Sequence, residues 1–232
     1  ERLSDGPTNS SYRVERRGES FVLRLDKPGA ALPGLDRENE KRVYSQLSAA
    51  GLALEPVHFD AAGGIFLRRF LPGGSWSRED LESPGNLRRL AGVLRDLHDL
   101  PASGAEFEPL AAARRYAERL GTPAARSTAG RAEALYREIQ AGPGARALCH
   151  NDPVCSNVLE GEHLVLSDWE YAGVGDPYFD LAVVVQHHRL SRNLADTFVQ
   201  AYLRRPPTPD ESRRLFLQRN FYTCLLNLWN AL

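Results

Sequence analysis

The stretch His150-Asn151-Asp152-Pro153-Val154-Cys155-Ser156-Asn157, followed further on by Asp168-Trp169-Glu170, decides how the rest of this 232-residue chain is read. It sets an Asp, an Asn five residues later and a second Asp sixteen residues on. That spacing suits phosphoryl transfer: the first carboxylate can accept the proton of an attacking hydroxyl, and the amide and second carboxylate can hold Mg²⁺ against nucleotide phosphates. Between them, Val158-Leu159 and Leu164-Val165-Leu166 flank Glu160-Gly161-Glu162-His163. This is the pattern of a tight hairpin, which would bring Asn157 beside Asp168. His-x-Asp or Asp-x-Glu alone is common by chance; both in this order around a hairpin carry far more weight.

With Ser167-Asp168-Trp169-Glu170-Tyr171-Ala172-Gly173, Gly175-Asp176-Pro177 and Asp180-Leu181-Ala182, the block resembles the aminoglycoside phosphotransferase and choline kinase superfamily. It is most similar to the choline, ethanolamine and thiamine kinase branch. The resemblance extends over nearly the whole chain, although the specific motifs lie within residues 148–182. It implies an α+β, two-lobed protein-kinase-like fold. A small antiparallel-sheet N-lobe with one helix, residues 1–72, would bind nucleotide and end in a hinge. A larger, mainly helical C-lobe, residues 73–232, would carry catalysis and the acceptor. The implied cofactors are ATP and Mg²⁺.

The N-terminal sequence is compatible with that layout. Tyr12-Arg13-Val14-Glu15 and Phe21-Val22-Leu23-Arg24-Leu25 alternate as strands around a turn at Arg17-Gly18. Ahead of them, Ser4 to Ser11 is rich in small residues and side-chain donors, and Thr8, Asn9 and Ser10 are the candidates to cover phosphates. Arg24 interrupts an apolar strand where a cation would grip the α- and β-phosphates. Asp36 to Ala50 reads as a helix, with Val43, Leu47 and Ala50 at helical spacing. Its Glu40 is the expected partner of Arg24, with Glu38 as the fallback. Pro56 to Asp60 and Ile65 to Phe70 read as further strands, for five in all if one precedes Ser4. The turn-rich run after Phe70 reads as the hinge, where the resemblance places the adenine near Phe70.

From Asn86 the period becomes helical, with Leu87, Leu90, Ala91, Leu94 and Leu97 on one face and His98 as a packing and capping residue. Helices are expected near 110–120 and 131–140, with Gly/Pro/Ser/Thr-rich loops between them, then over Phe179–Val185, Leu194–Leu203 and from Asp210 onward.

Asp152 is the candidate catalytic base, and Asn157 and Asp168 are the candidate metal ligands. His150 orients the loop by hydrogen bonding, and Asp176 and Asp180 cap a helix and brace the loop. Glu170, Tyr171 and Trp229, with Asp152 itself, are the candidate acceptor-binding residues, since carboxylates and ring faces suit an ammonium alcohol. Asn151 stands where protein kinases carry the Arg that reads a phosphorylated activation loop. Only about ten residues follow Asp168 before the next helix, which leaves no room for a peptide-docking segment.

The net charge of −1 gives no bulk electrostatic pull toward nucleic acid or membranes, and no apolar run approaches a membrane span. Cys149, Cys155 and Cys224 are odd in number and lack CxxC spacing, which fits free thiols and a cytoplasmic setting. Cys149, His150 and Cys155 lack a fourth ligand at zinc spacing. The sequence thus points to a phosphotransferase acting on the hydroxyl of a small amine-bearing alcohol: choline or ethanolamine first, thiamine second. An aminoglycoside O-phosphotransferase is the enzymatic alternative and a pseudokinase-type binding module the non-enzymatic one. The partner is a small molecule, with oligomeric state left open.

Overall fold

The computed structural model describes residues 1–6, 8–27 and 35–232. Five strands, β1 (Arg2–Asp5), β2 (Asn9–Arg16), β3 (Glu19–Asp26), β4 (Pro56–Asp60) and β5 (Ile65–Arg69), form an antiparallel sheet in the order β1-β2-β3-β5-β4. The helix α1 (Arg37–Ala49) starts at Asp36, whose side chain accepts from the Asn39 N–H at 2.9 Å. This is an N-cap that satisfies one of the helix's orphan donors. Its apolar stripe of Val43, Tyr44 and Leu47 is buried, and the Tyr44 ring meets Phe66 of β5 edge-on at 5.0 Å.

The remaining chain is mainly helical: α2 (Pro84–His98), α3 (Pro109–Leu120), α4 (Pro123–Ala141), α5 (Pro177–His187), α6 (Arg192–Leu203) and α7 (Pro209–Asn230). Two small ribbons lie between α4 and α5: β6 (Ala147–Cys149) pairs with β9 (Gly173–Gly175), and β7 (Val158–Leu159) with β8 (Val165–Leu166). Residues Pro177–Val185 of α5 are all buried. A helix apolar all round must be enclosed on every side. Leu181, Val184 and Val185 pack into a core shared with α1, α2 and α6, while Phe179 and Val183 join a second core with α3, α4 and α7. The two ribbons therefore sit beside a central helix that cannot tilt without disturbing two cores.

Two expectations need correction. Residues 123–130, expected as loop, form the first turns of α4. Thr122 caps the helix by accepting from Ala125 N–H at 3.1 Å, Pro123 fills the first position, and Thr128 returns its hydroxyl to Ala124 O. Pro and Thr here start a helix rather than interrupt one. The run Ser4–Ser11, expected as an open loop, is mostly strand, with Ser4 and Asp5 in β1 and Asn9 to Ser11 in β2. Pro7 lies outside the described residues.

Candidate active site

The chain leaves β6 at Cys149, makes a loop through Asp152, takes a short 3₁₀ turn at Cys155–Asn157 and enters the β7–β8 hairpin, which ends at Ser167-Asp168. Two non-glycine residues on this path are left-handed, Asn151 at φ 66° and Asp168 at φ 63°. Asn and Asp tolerate that region better than other side chains, but still at a cost that the surroundings must offset. For the loop, the offset comes from Asp180 on α5. Its carboxylate accepts the His150 N–H at 2.8 Å and the Asn151 N–H at 2.7 Å, and lies 3.1 Å from His98 Nε2. His98 in turn meets the Tyr202 hydroxyl at 2.9 Å. His98 thus does more than pack; it is the far end of the brace.

His150 is fully enclosed and stacked near Trp169, with ring centroids 4.4 Å apart. Its Nδ1 accepts the Asp152 N–H at 3.2 Å, so its Nε2–H donates to Ser167 O at 2.9 Å. Burial pushes its pKa down, in keeping with a neutral ring of that single tautomer. One imidazole therefore ties the Asp152 backbone to the residue before Asp168.

Asn157 donates from Nδ2 to both Asp152 O (2.9 Å) and Asp152 Oδ2 (3.2 Å). That fixes the amide and leaves its oxygen as the atom it can offer a cation. Asp152, Asp168 and Glu170 share the cleft, and burial is the first cause of a raised pKa in each. Asp152 is pushed up to about 7, helped by the Asp168 charge, and Glu170 to about 8, again with Asp168 adding. Crowded carboxylates and one oriented amide oxygen make a hard-oxygen donor set deficient in positive charge. Such a set fits Mg²⁺, which takes one or two protein oxygens and completes its shell with water and phosphate.

Above the carboxylates, Arg24 makes a bidentate pair with Glu40, Nη1–Oε1 at 2.7 Å and Nη2–Oε2 at 2.8 Å. Both side chains are buried, and Arg24 Nη1 lies 3.6 Å from Asp168 Oδ1. Arg37 extends this network. It grips Asp26 with Nε and Nη2 at 2.7 and 2.9 Å, and its Nη1 reaches Glu40 at 2.8 Å and Glu170 at 3.0 Å. Glu170 thus faces Arg37 and, more loosely at 3.5 Å, Asn9 Nδ2. Neither Arg37 nor Asp26 stood out in the sequence. Asn39 was also missed: it joins the lobes by donating to Ala172 O at 2.9 Å and accepting from Ala105 N at 2.7 Å.

The lobes enclose a cleft of about 900 Å³. Thr8 and Asn9 line its upper wall, with Asn9 Nδ2 donating to Thr8 Oγ1 at 3.0 Å. Ser10 turns away, its hydroxyl donating to Asp5 at 2.8 Å on the exposed side of the sheet. At one end the cleft meets Phe70, whose N–H donates to Ser20 O at 3.0 Å and whose ring carries the Arg13 guanidinium at 4.5 Å. At the other end, beyond Asp152, the walls are Tyr116, Tyr171, Tyr222, Phe179 and Trp229, with Tyr116 and Trp229 rings 5.5 Å apart. The guanidinium groups lining the cleft, Arg24 and Arg68, come from the N-lobe. The charged side chains contributed by the C-lobe are carboxylates: Asp152, Asp168 and Glu170.

A small antiparallel sheet with one braced helix, set over a helical lobe that presents Asp, Asn and Asp from a loop and hairpin, defines a two-lobed protein-kinase-like fold. Residues 1–216 match the phosphotransferase enzyme family, and the chain belongs to that family. Protein LicA of Haemophilus influenzae is 31% identical over 208 residues, 85% of this chain and 60% of that protein. A thiamine kinase of Escherichia coli is 28% identical over 202 residues, 83% of this chain and 70% of the enzyme. The crystal structure of a choline/ethanolamine kinase family protein from Mesorhizobium loti superposes with a TM-score of 0.82 at 28% identity, covering 99% of this chain and 77% of that one.

Proposed function

We propose that the protein is a small-molecule kinase that moves the terminal phosphoryl group of a nucleoside triphosphate onto the hydroxyl of a small alcohol carrying one cationic amine. Choline and ethanolamine are the first candidates. The carrying observation is that Tyr116, Tyr171, Phe179, Tyr222 and Trp229 line the same cleft as Asp152, and that the carboxylates Asp152, Asp168 and Glu170 are the acidic groups the C-lobe brings to it. An ammonium ion held against ring faces gains roughly 0.5–2 kcal/mol per ring. An aminoglycoside, with several ammonium groups, would call for more carboxylates and fewer rings. Thiamine keeps a place because its cation is also aromatic-faced and because of the likeness to the thiamine kinase.

In this reading Asp152 accepts the hydroxyl proton, and a carboxylate poised near 7 suits that task at neutral pH. Asn157 holds the base in position by its two bonds to Asp152, while His150 and Asp180 hold the loop. Asn157 and Asp168 would hold Mg²⁺, which when bound neutralises phosphate charge and aligns the transferred group. Arg24, fixed by Glu40, offers its charge to the nucleotide phosphates, as would backbone and side-chain donors at Thr8 and Asn9. The catalytic gain from the base is typically 10²–10⁴-fold, and the larger share falls to charge and positioning.

The test is a screen for nucleoside diphosphate release across choline, ethanolamine, thiamine, homoserine and a panel of aminoglycosides. Turnover with a single-amine alcohol supports the proposal. Turnover confined to aminoglycosides would overturn the acceptor assignment, and no turnover with any of them would favour a binding module.

A further inference from the structure

The cleft holds a second guanidinium that the transfer chemistry above leaves unused. Arg68 of β5 lies opposite Val22 of β3, two positions along the ladder from the Arg24–Phe66 pair. At about 3.4 Å per residue this sets it roughly 7 Å from Arg24, toward the Phe70 end. Strand alternation puts Phe66 and Arg68 on the same face, and both line the cleft. With the phosphates held near Arg24 and Asp168, a nucleotide's planar base would lie among the apolar side chains Val22, Phe66, Leu71 and Leu159 that line the cleft. Arg68 lines the cleft beside them, opposite Val22.

Arg68 differs from its neighbours in having no carboxylate hydrogen-bonded to it among the described residues. Burial pulls its pKa below the ordinary arginine value, with Tyr44 and Asp168 acting in the opposite direction from a distance. Its Nη1 donates to the Arg69 carbonyl at 3.1 Å. That carbonyl closes β5, and the next N–H, on Phe70, is already given to Ser20. A base arriving at this edge therefore meets the guanidinium N–H donors, one of which also reaches the adjacent backbone carbonyl.

We propose that Arg68 makes the base end of the cleft select a 6-oxopurine nucleotide, guanosine or inosine triphosphate, over ATP. The assignment rests on the kinase reading of the cleft. A 6-oxopurine presents O6 and N7 side by side as acceptors, which the planar fork of a guanidinium can meet with two N–H groups. Adenine presents an amino group beside N7, which would set donor against donor at the guanidinium. Hydrogen-bond mismatch at a half-buried site discriminates strongly, because the unmatched donor keeps its desolvation cost.

The test is calorimetric titration of the full chain, with Mg²⁺, by GTP, ITP, 7-deaza-GTP and ATP, repeated on Arg68→Met. GTP and ITP are expected to bind at least about tenfold more tightly than ATP, the low side of what a bidentate pair provides. 7-Deaza-GTP, which lacks the N7 acceptor, should fall between them. In Arg68→Met the GTP-to-ATP ratio should shrink to within about threefold. ATP binding as tight as GTP in the wild type, or a preference for GTP that survives in Arg68→Met, overturns the assignment. The wild-type comparison with the deaza analogue stands even where the variant fails to fold. Absence of binding by all four nucleotides would overturn the kinase reading itself, an outcome distinct from a plain preference for ATP.

Discussion

Arg37 Nη1 stands 3.0 Å from Glu170 Oε2, joining residues 133 positions apart across the two lobes. The same nitrogen holds Glu40, which orients Arg24, and Glu170 follows Asp168 by two residues. One side chain thus links Arg24 to the segment that carries Asp168. Arg37→Ala would leave Asp26 and Glu170 without their arginine, while Glu40 keeps Arg24, and removing one partner of a buried pair costs on the order of 3–5 kcal/mol. Urea unfolding should show a loss of that order, and nucleotide affinity should fall as Arg24 loses its brace. Arg37→Met combined with Glu170→Gln should recover part of the stability, since it removes the orphaned charge. If the double variant is as unstable as the single one, the pair is not the link that matters.

Asp152 and Asp168 share one cleft but should fail differently. Asp152→Asn keeps the shape and the Asn157 bond to the backbone carbonyl while removing the proton acceptor, so turnover should drop 10²–10⁴-fold with nucleotide affinity nearly unchanged. Asp168→Ala should instead erase the difference in nucleotide affinity with and without Mg²⁺, read by calorimetry. Retained turnover in the first variant, or a retained Mg²⁺ effect in the second, would reassign the roles.

The elements that sequence reading recovers are those whose signal is local. Arg24 interrupts an apolar strand and Glu40 sits on a periodic helix, so each is placed by its own neighbours and their meeting at 2.7 Å follows. The Asp152, Asn157 and Asp168 group is legible because the short β7–β8 hairpin between Asn157 and Asp168 has a local signal of its own. Arg37 is closer to Glu40 in sequence than Arg24 is, three residues against sixteen, yet in a first helical turn an Arg reads as solvated, and nothing local reveals that Glu170 will reach it. Arg68 likewise reads as the polar side of an alternating strand; which face is the cleft depends on how β3 and β5 pair. The start of α4 was hidden for another reason: Thr122 and Pro123 have the same composition whether they end order or begin it, and the bond to Ala125 distinguishes the two.

Trp229 lines the cleft and packs on Tyr116 at a tilt of 59°. If it faces the acceptor's cation, Trp229→Ala should raise KM for choline by about threefold to thirtyfold, the span of one cation–π contact, with kcat little changed. Trp229→Phe should recover much of the loss. Steady-state kinetics over acceptor concentration separate this from a purely structural role, which would lower kcat and thermal stability without a selective rise in KM.

Gly73 shows where the linker between the lobes touches the hairpin. A Cβ at this position would lie 2.1 Å from the Glu160 carbonyl oxygen, and Glu160 is itself held by Trp76 Nε1 at 2.9 Å and by Arg89. The obstacle is backbone and cannot rotate away. Gly73→Ala should therefore cost about 1–3 kcal/mol in urea unfolding and weaken nucleotide binding by shifting the base end of the cleft. Wild-type stability and affinity in this variant would mean that the linker can move freely off the hairpin.

His188 gives the fold an acid limit that is separable from the crowded carboxylates. Its buried Nε2 accepts the Cys155 N–H at 3.2 Å, steadying the turn that carries Asn157. Burial, then the His187 ring 4.8 Å away and the Arg78 charge, pull its pKa down to about 4. A group whose folded pKa is depressed below an unfolded value near 6.5 is neutral in both states at pH 7, and the unfolded chain takes up its proton first as pH falls. Stability is thus full above about 6.5 and is lost progressively toward 4, by about 3 kcal/mol for a shift of this size. The carboxylates with raised pKa values push the opposite way over the same range, so total stability is a poor readout. His188→Gln keeps an acceptor for Cys155 and removes the titration. Between pH 7 and pH 4 the wild type should lose about 3 kcal/mol more than His188→Gln in urea unfolding, and parallel curves for the two proteins would show that His188 is not the group responsible.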